Sequence, residues 1–297
     1  MPTLTLTPSL SHSTIAKLAE CPTRYRLRTF TAWEGWRKSA PPEARQAYRL
    51  KQMKSLPALI GLAVEDACRW LVGEAKGGAL HPPSLAVERA LAALRRQWKE
   101  HESEGWRDDP KSCTAVMERY YGDACKVTEV RAKVERCIGD FHQRLLARLV
   151  DAPLLDIEPF GGFAWQGLRI FAAPDFAWRD DEGFHILDLK TGRPRPEHSA
   201  QLDLYSRQAF EADATLEAVR CELAYLDAGE SSHELVLRRD RCGEPVAEGF
   251  LRRGRETLAR YLVDGDVERF EPLPAAEWPM APVSACRWCA FREVCDR

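Results

Sequence analysis

Residues 171–191 read FAAPDFAWRDDEGFHILDLKT, and this stretch decides the fold. Aromatic and aliphatic runs at 168–179 and 184–191 flank a polar turn at 180–183, as strands joined by a hairpin do. With the hairpin centred between Asp181 and Glu182, Asp175 and Asp188 are equidistant from its tip and stand opposite each other. Their Cβ atoms are then roughly 5 Å apart. Alternation along a strand sends Asp188 and Lys190 to one side. Both aspartates lie in apolar company, where an unpartnered charge is costly. Facing carboxylates repel unless something positive lies between them, and a hard divalent cation, Mg²⁺ or Mn²⁺, suits oxygen ligands. Lys190 is placed to orient an attacking water or to neutralise a phosphate in its transition state. A solvated surface hairpin is the better reading of a lone D-x-K tripeptide. Two carboxylates in register within apolar runs shift the balance towards a site.

Outward from this hairpin, 160–165, 168–179 and 184–191 read as a three-stranded meander, 198–213 as a helix, 217–227 and 233–239 as strands, and 244–263 as a helix. Towards the N-terminus, 9–28 read as a helix from a Ser-rich cap, interrupted near Pro22 with Cys21 at the interruption. A loop with some helix follows at 31–55, and 56–75 carry an apolar helical stripe. Residues 84–150 fit two or three helices. The succession of helical and strand-like segments predicts the α/β fold class, and the length suits one large domain or two small ones.

The chain has 297 residues, 45% of them hydrophobic, enough for a full core. Lys plus Arg total 43 against 45 Asp plus Glu, a net charge of −2, so any nucleic-acid surface must be local. One candidate patch interleaves Lys17, Arg24, Arg26 and Arg28 with Tyr25 and Phe30, followed by Arg49, Lys51 and Lys54. Phosphate contacts and base stacking together suit single-stranded DNA, with Arg24 and Tyr25 as candidate contacts. Each of these cations alone defaults to a solvated face. No run approaches a membrane span, and residues 1–13 lack a basic start and an apolar stretch, so the expectation is a cytoplasmic protein without a membrane partner.

Six of the ten cysteines (Cys68, Cys113, Cys125, Cys137, Cys221 and Cys242) are scattered singly, whereas Cys286, Cys289 and Cys295 crowd the last dozen residues. C-x-x-C followed by five residues and Cys295 supplies three thiolates, and Cys21 is the best fourth for tetrahedral zinc or a four-iron cluster. The surrounding tail is too polar for these to be core residues.

With Pro174-Asp175 and Asp188-Leu189-Lys190 at its signature positions, the sequence resembles the PD-(D/E)XK nuclease superfamily, which implies a restriction-endonuclease-like core, a mixed central sheet flanked by helices, in a single domain spanning 1–297 with 76–150 as a helical insertion or cap. Gln201 and Tyr205 look like the Q-x-x-x-Y motif of its RecB-like branch, associated with gripping nucleic acid beside the metals. Gly61-Leu62-Ala63-Val64-Glu65 fits the branch's G-x-x-x-E form, with Gly61 leaving space beside the carboxylate and Asp66 as a substitute ligand. The resemblance implies Glu65, Asp175, Asp188 and the Leu189 carbonyl as Mg²⁺ or Mn²⁺ ligands, and Lys190 as the catalytic assistant. Gln201 and Tyr205 would position the strand. Cys21 with Cys286, Cys289 and Cys295 resembles the Cas4-like and AddB-like members, where four such cysteines hold a [4Fe-4S] cluster that joins the termini; zinc is the alternative.

The implied function is metal-dependent hydrolysis of DNA, single-stranded or at ends, alone or beside a helicase or CRISPR adaptation proteins. A non-catalytic DNA-binding or assembly subunit is a second reading. A third, an iron–sulfur DNA glycosylase, shares the C-x2-C-x5-C spacing, but the upstream cysteine and helix-hairpin-helix it requires are missing.

Overall fold

In this computed structural model, residues 6–124, 126–155, 161–195, 198–228, 232–239, 245–282 and 286–295 are described. In chain order the elements are β1 (Ser9–Ser11), α1 (His12–Glu20), α2 (Pro22–Arg26), a π-helical turn (Leu27–Thr31), α3 (Pro42–Gln52), α4 (Leu56–Lys76), α5 (Pro83–Glu102), α6 (Met117–Tyr120), α7 (Val127–Arg144) and α8 (Leu146–Asp151). There follow β2 (Gly162–Trp165), β3 (Leu168–Phe171), β4 (Phe176–Asp180), β5 (Gly183–Lys190), α9 (His198–Ala212), β6 (Ala218–Tyr225), β7 (Ser232–Arg238) and α10 (Pro245–Ala259). The chain divides into two compact units. One comprises 1–53, 160–173 and 243–297, and the other 54–159 and 174–242.

The second unit is built on a mixed four-stranded sheet of order β4-β5-β6-β7. Its outer pairs are antiparallel and β5–β6 is parallel, with α9 as the crossover that a parallel pair requires. Phe176, Trp178, Leu187 and Leu189 share a core with Val64, Ala67 and Leu71 of α4, Ala90 of α5, Ile138 and Phe141 of α7, and Leu149 of α8. Alternation turns Asp188 and Lys190 to the other face, towards α9. Helices thus flank the sheet on both faces. Among its described residues, segment 84–150 forms four α-helices where the sequence predicts two or three, because α6 and α8 are too short to show a period.

The first unit holds the three-stranded sheet β1-β3-β2. Its β2–β3 hairpin turns at Gln166-Gly167, both at positive φ (44° and 78°), the twist that suits a two-residue turn. The expected meander over 160–191 is therefore corrected to two hairpins in two sheets. Pro174, which has no N–H to give a ladder, falls at the break between β3 and β4. Helix α1 starts at a capping box, with the Thr14 N–H donating to Ser11 Oγ (3.3 Å) and the Ser11 N–H to Thr14 Oγ1 (2.6 Å). It packs on α10 where a Cβ at Gly254 would come within 2.9 Å of the Ile15 side chain, so any larger residue would push Ile15 aside.

Candidate active site

Within the second unit the β4–β5 ladder pairs Phe176 with Leu187 and Ala177 with Ile186, and its next step sets Asp175 opposite Asp188. Asp188 is only 4% exposed. Its Oδ1 accepts from the Tyr205 hydroxyl at 2.5 Å, and that oxygen accepts from Gln201 Nε2 at 2.5 Å. Gln201 and Tyr205 lie one turn apart on α9, hence on one face. The Lys190 ammonium lies 2.5 Å from Asp188 Oδ2, yet this buried oxygen accepts no aligned hydrogen bond. The contact is an ion pair whose geometry leaves the Oδ2 lone pairs unsatisfied.

Asp175 Oδ2 accepts the Leu189 N–H at 2.6 Å. Its Oδ1 lies 3.5 Å from Arg69 Nη2, and Arg69 Nε donates to Glu65 Oε1 at 3.0 Å, so one guanidinium bridges two carboxylates. Burial first, then the Asp188 and Glu65 charges, hold the Asp175 carboxyl well above the usual range despite Arg69. Burial and Asp188 likewise push the Tyr205 phenol well up, which keeps it a hydrogen-bond donor.

The structure thus brings Asp175, Asp188, Lys190, Gln201, Tyr205 and the Leu189 backbone into one connected group, with Glu65 joined through Arg69. Asp66, the substitute for Glu65, is drawn to Arg89 at 3.1 Å. A Cβ at Gly61 would stand 3.5 Å from Thr191 Oγ1, an ordinary contact, so sterics do not demand glycine there. Sequence reasoning missed Arg69. Its signal was the i, i+4 spacing from Glu65 on α4. Among the described residues no three His, Cys, Asp or Glu side chains converge closely enough to hold a metal ion. Arg69 and Lys190 occupy the acids instead. The hard oxygens of two facing carboxylates, one buried and short of partners, nonetheless fit a divalent cation.

In the first unit Cys21, Cys286, Cys289 and Cys295 line one cavity of about 590 Å³, with Met280 and Phe291. None of the four is in a disulfide. Cys21 closes α1 and caps α2, and its Sγ accepts N–H groups of Arg24 and Ala281, each at 3.4 Å. Cys289 Sγ accepts the Phe291 N–H at 3.4 Å, and burial raises its thiol above the usual range. Nearby, Thr23 Oγ1 donates to the Trp278 carbonyl at 2.6 Å, tying sequence-distant segments together. The four thiols line one cavity and two of their sulfurs already accept amide N–H groups, but no three of them converge closely enough to hold a metal ion.

Tyr25 is 3% exposed, stacked with Trp278 (6.4 Å) and edge-on to Phe30 (6.3 Å), so its ring belongs to the core of this unit. Arg24 is ion-paired with Glu20 at 3.3 Å. Both line a second cavity, of about 290 Å³, with Lys17, Arg28 and Lys51.

No helix among the described residues is long and apolar enough to cross a membrane. None of the curated proteins compared with the chain matches it. One of the solved structures it matches, "Crystal structure of SSO0001", is 14% identical with a TM-score of 0.28, and the match covers 61% of this chain and 91% of that one. The sequence matches the PD-(D/E)XK nuclease superfamily over residues 9–296, which spans both the carboxylate hairpin and the C-terminal cysteines. The chain belongs to the PD-(D/E)XK nuclease superfamily, whose members are generally metal-dependent nucleases.

Proposed function

We propose that the chain is a Mg²⁺- or Mn²⁺-dependent deoxyribonuclease of RecB-like type, acting on single-stranded DNA or DNA ends. The observation that carries this reading is the buried Asp188, held by Tyr205 on one oxygen and left without an aligned hydrogen bond on the other, with Lys190 beside it and Asp175 opposite. Asp175 and Asp188, with Glu65 and the Leu189 carbonyl, would hold the metal, which when bound supplies a Lewis acid and a lowered water pKa. Lys190 orients the nucleophile or neutralises the phosphate. Tyr205, fixed by Gln201, keeps the Asp188 carboxylate aimed, as outer-shell partners of metal ligands do. Residues 76–150 serve as the helical layer of the same nuclease domain.

In this reading Cys21, Cys286, Cys289 and Cys295 hold a [4Fe-4S] cluster with a structural role. A cavity of about 590 Å³ and the amide donors on two sulfurs support it over a single zinc ion. Anaerobically purified protein is then brown, with broad absorbance near about 400 nm. A colourless preparation carrying stoichiometric zinc would remove the cluster.

The nuclease reading is tested with end-labelled single- and double-stranded DNA and Mg²⁺ or Mn²⁺, comparing the wild type with Asp188→Ala. Degradation by the wild type alone is expected. Equal cleavage by both would overturn the site. DNA binding without cleavage by either would favour a non-catalytic subunit.

A further inference from the structure

The cavity of about 290 Å³ in the first unit has a wall of positive charge. Lys17 of α1, Arg24 of α2, Arg28 of the π-helical turn and Lys51 of α3 reach it from four elements, beside Thr14 and the Trp33 ring. Glu20 answers Arg24. Among the described residues no carboxylate lies within ion-pair distance of Lys17, Arg28 or Lys51. Arg28 instead spends a donor on the Lys51 carbonyl at 3.1 Å, which holds it in place beside a second cation.

Gathering cations in a half-enclosed space raises the free energy of each, because burial and like charge both disfavour the charged form. The molecule bears that mark. Burial, then Arg28 and Arg24, lower the Lys17 pKa to about 8, and burial with neighbouring cations lowers Lys51 and Arg28 as well. An arrangement strained in this way is relieved by an anion. Two ammonium groups and two guanidinium forks match the several oxygens and multiple charge of a phosphate better than a single carboxylate. Space beyond one phosphate, walled by Trp33, leaves room for the attached sugar or base.

We infer that the Lys17, Arg24, Arg28 and Lys51 pocket is a phosphate-binding subsite that takes a phosphate group of a nucleic-acid strand. The strand's identity rests on the proposed nuclease function, whereas the affinity for phosphate does not.

Two measurements on the full-length protein test this. Inorganic phosphate is added against chloride at matched ionic strength while Tm is followed for wild type, Lys51→Gln, Arg28→Gln and Asp188→Asn. Stabilisation of wild type and Asp188→Asn but of neither pocket variant is expected, and an equal shift in all four would overturn the proposal. Short oligonucleotides ending in 5′-phosphate, 3′-phosphate or hydroxyl are then titrated by anisotropy without divalent ions. Lys51→Gln is expected to bind about tenfold more weakly, with the slope of log K against log salt reduced by about one. Loss confined to one phosphorylated end identifies a terminal phosphate, and equal loss for all three identifies a backbone phosphate; either supports the subsite. Unchanged affinities and slopes in a Lys51→Gln protein of wild-type Tm would overturn it. A wild type that fails to cut DNA but responds to phosphate in these ways would refute the nuclease reading and leave the pocket standing.

Discussion

The carboxylate centre of one unit and the cation pocket of the other are opposite in sign and also in how their charge is answered. In the first, Asp175, Asp188 and Glu65 each have a cation of the chain's own, Arg69 or Lys190. In the second, Lys17, Arg28 and Lys51 face one another, and the nearby Glu20 is engaged by Arg24. A cluster of charge that its own chain can neutralise is stable at rest and must exchange partners to work. An unanswered one is poised for a ligand. In the proposed nuclease Arg69 would give way to a metal and Lys190 to a phosphate, while the first unit offers its cations directly.

The largest effect should come from breaking the answered cluster at its cation. Lys190→Met is expected to slow cleavage on the order of 10²- to 10³-fold, the scale of losing one preorganised electrostatic partner. Measured in single turnover, Mn²⁺ affinity should change far less than rate. A rate within about threefold of wild type would show that Lys190 only neutralises Asp188 at rest. Next in size, Tyr205→Phe removes the hydroxyl on Asp188 Oδ1 and should weaken metal binding or activity about 10- to 100-fold. Full activity in that variant would make the hydrogen bond incidental.

At the cysteine end the expected effect is on stability rather than rate. Cys289→Ser is expected to abolish absorbance near about 400 nm and to lower Tm by several degrees, while Mn²⁺ affinity stays within about twofold. A large loss of Mn²⁺ affinity would couple the two centres. The smallest effect is a pH dependence. Lys17 titrates at about 8 in the folded protein against 10.5 ordinarily, so across that window the unfolded chain binds more protons and stability rises with pH. The penalty is fully present below about 8. Lys17→Met should be slightly more stable than wild type at neutral pH, with the difference gone by about 10.5. A parallel pH profile in the two proteins would contradict the crowding of charge.

The parts legible in the sequence are those set locally. The turn at 181–182 fixes the β4–β5 register and hence which residues oppose Asp175, and helical spacing puts Gln201 and Tyr205 on one face. Superfamily membership, matched over residues 9–296, is legible in Pro174-Asp175 and Asp188-Leu189-Lys190 because both lie on the hairpin. What escaped is set by tertiary placement. Pro174 is the local mark of the break at 172–175, but a proline is also tolerated on an edge strand, so β3 and β4 read as one strand of a meander although they belong to two sheets. Tyr25 reads as a stacking platform beside arginines, yet its partner Trp278 lies far off in sequence and draws the ring into the core. Arg69 was hidden on an ordinary helix. The cation pocket draws on four elements, so the sequence offered a basic stretch without saying which members share a cavity.

Whether Asp175 and Asp188 form a metal centre is decided by Mn²⁺ titration of the full chain without DNA. Saturable binding by the wild type that is weakened at least about tenfold in Asp188→Asn is the predicted result, with Arg69→Gln retaining or tightening it because a competing cation is gone. Equal Mn²⁺ affinity in wild type and Asp188→Asn would mean that Asp188 holds no metal.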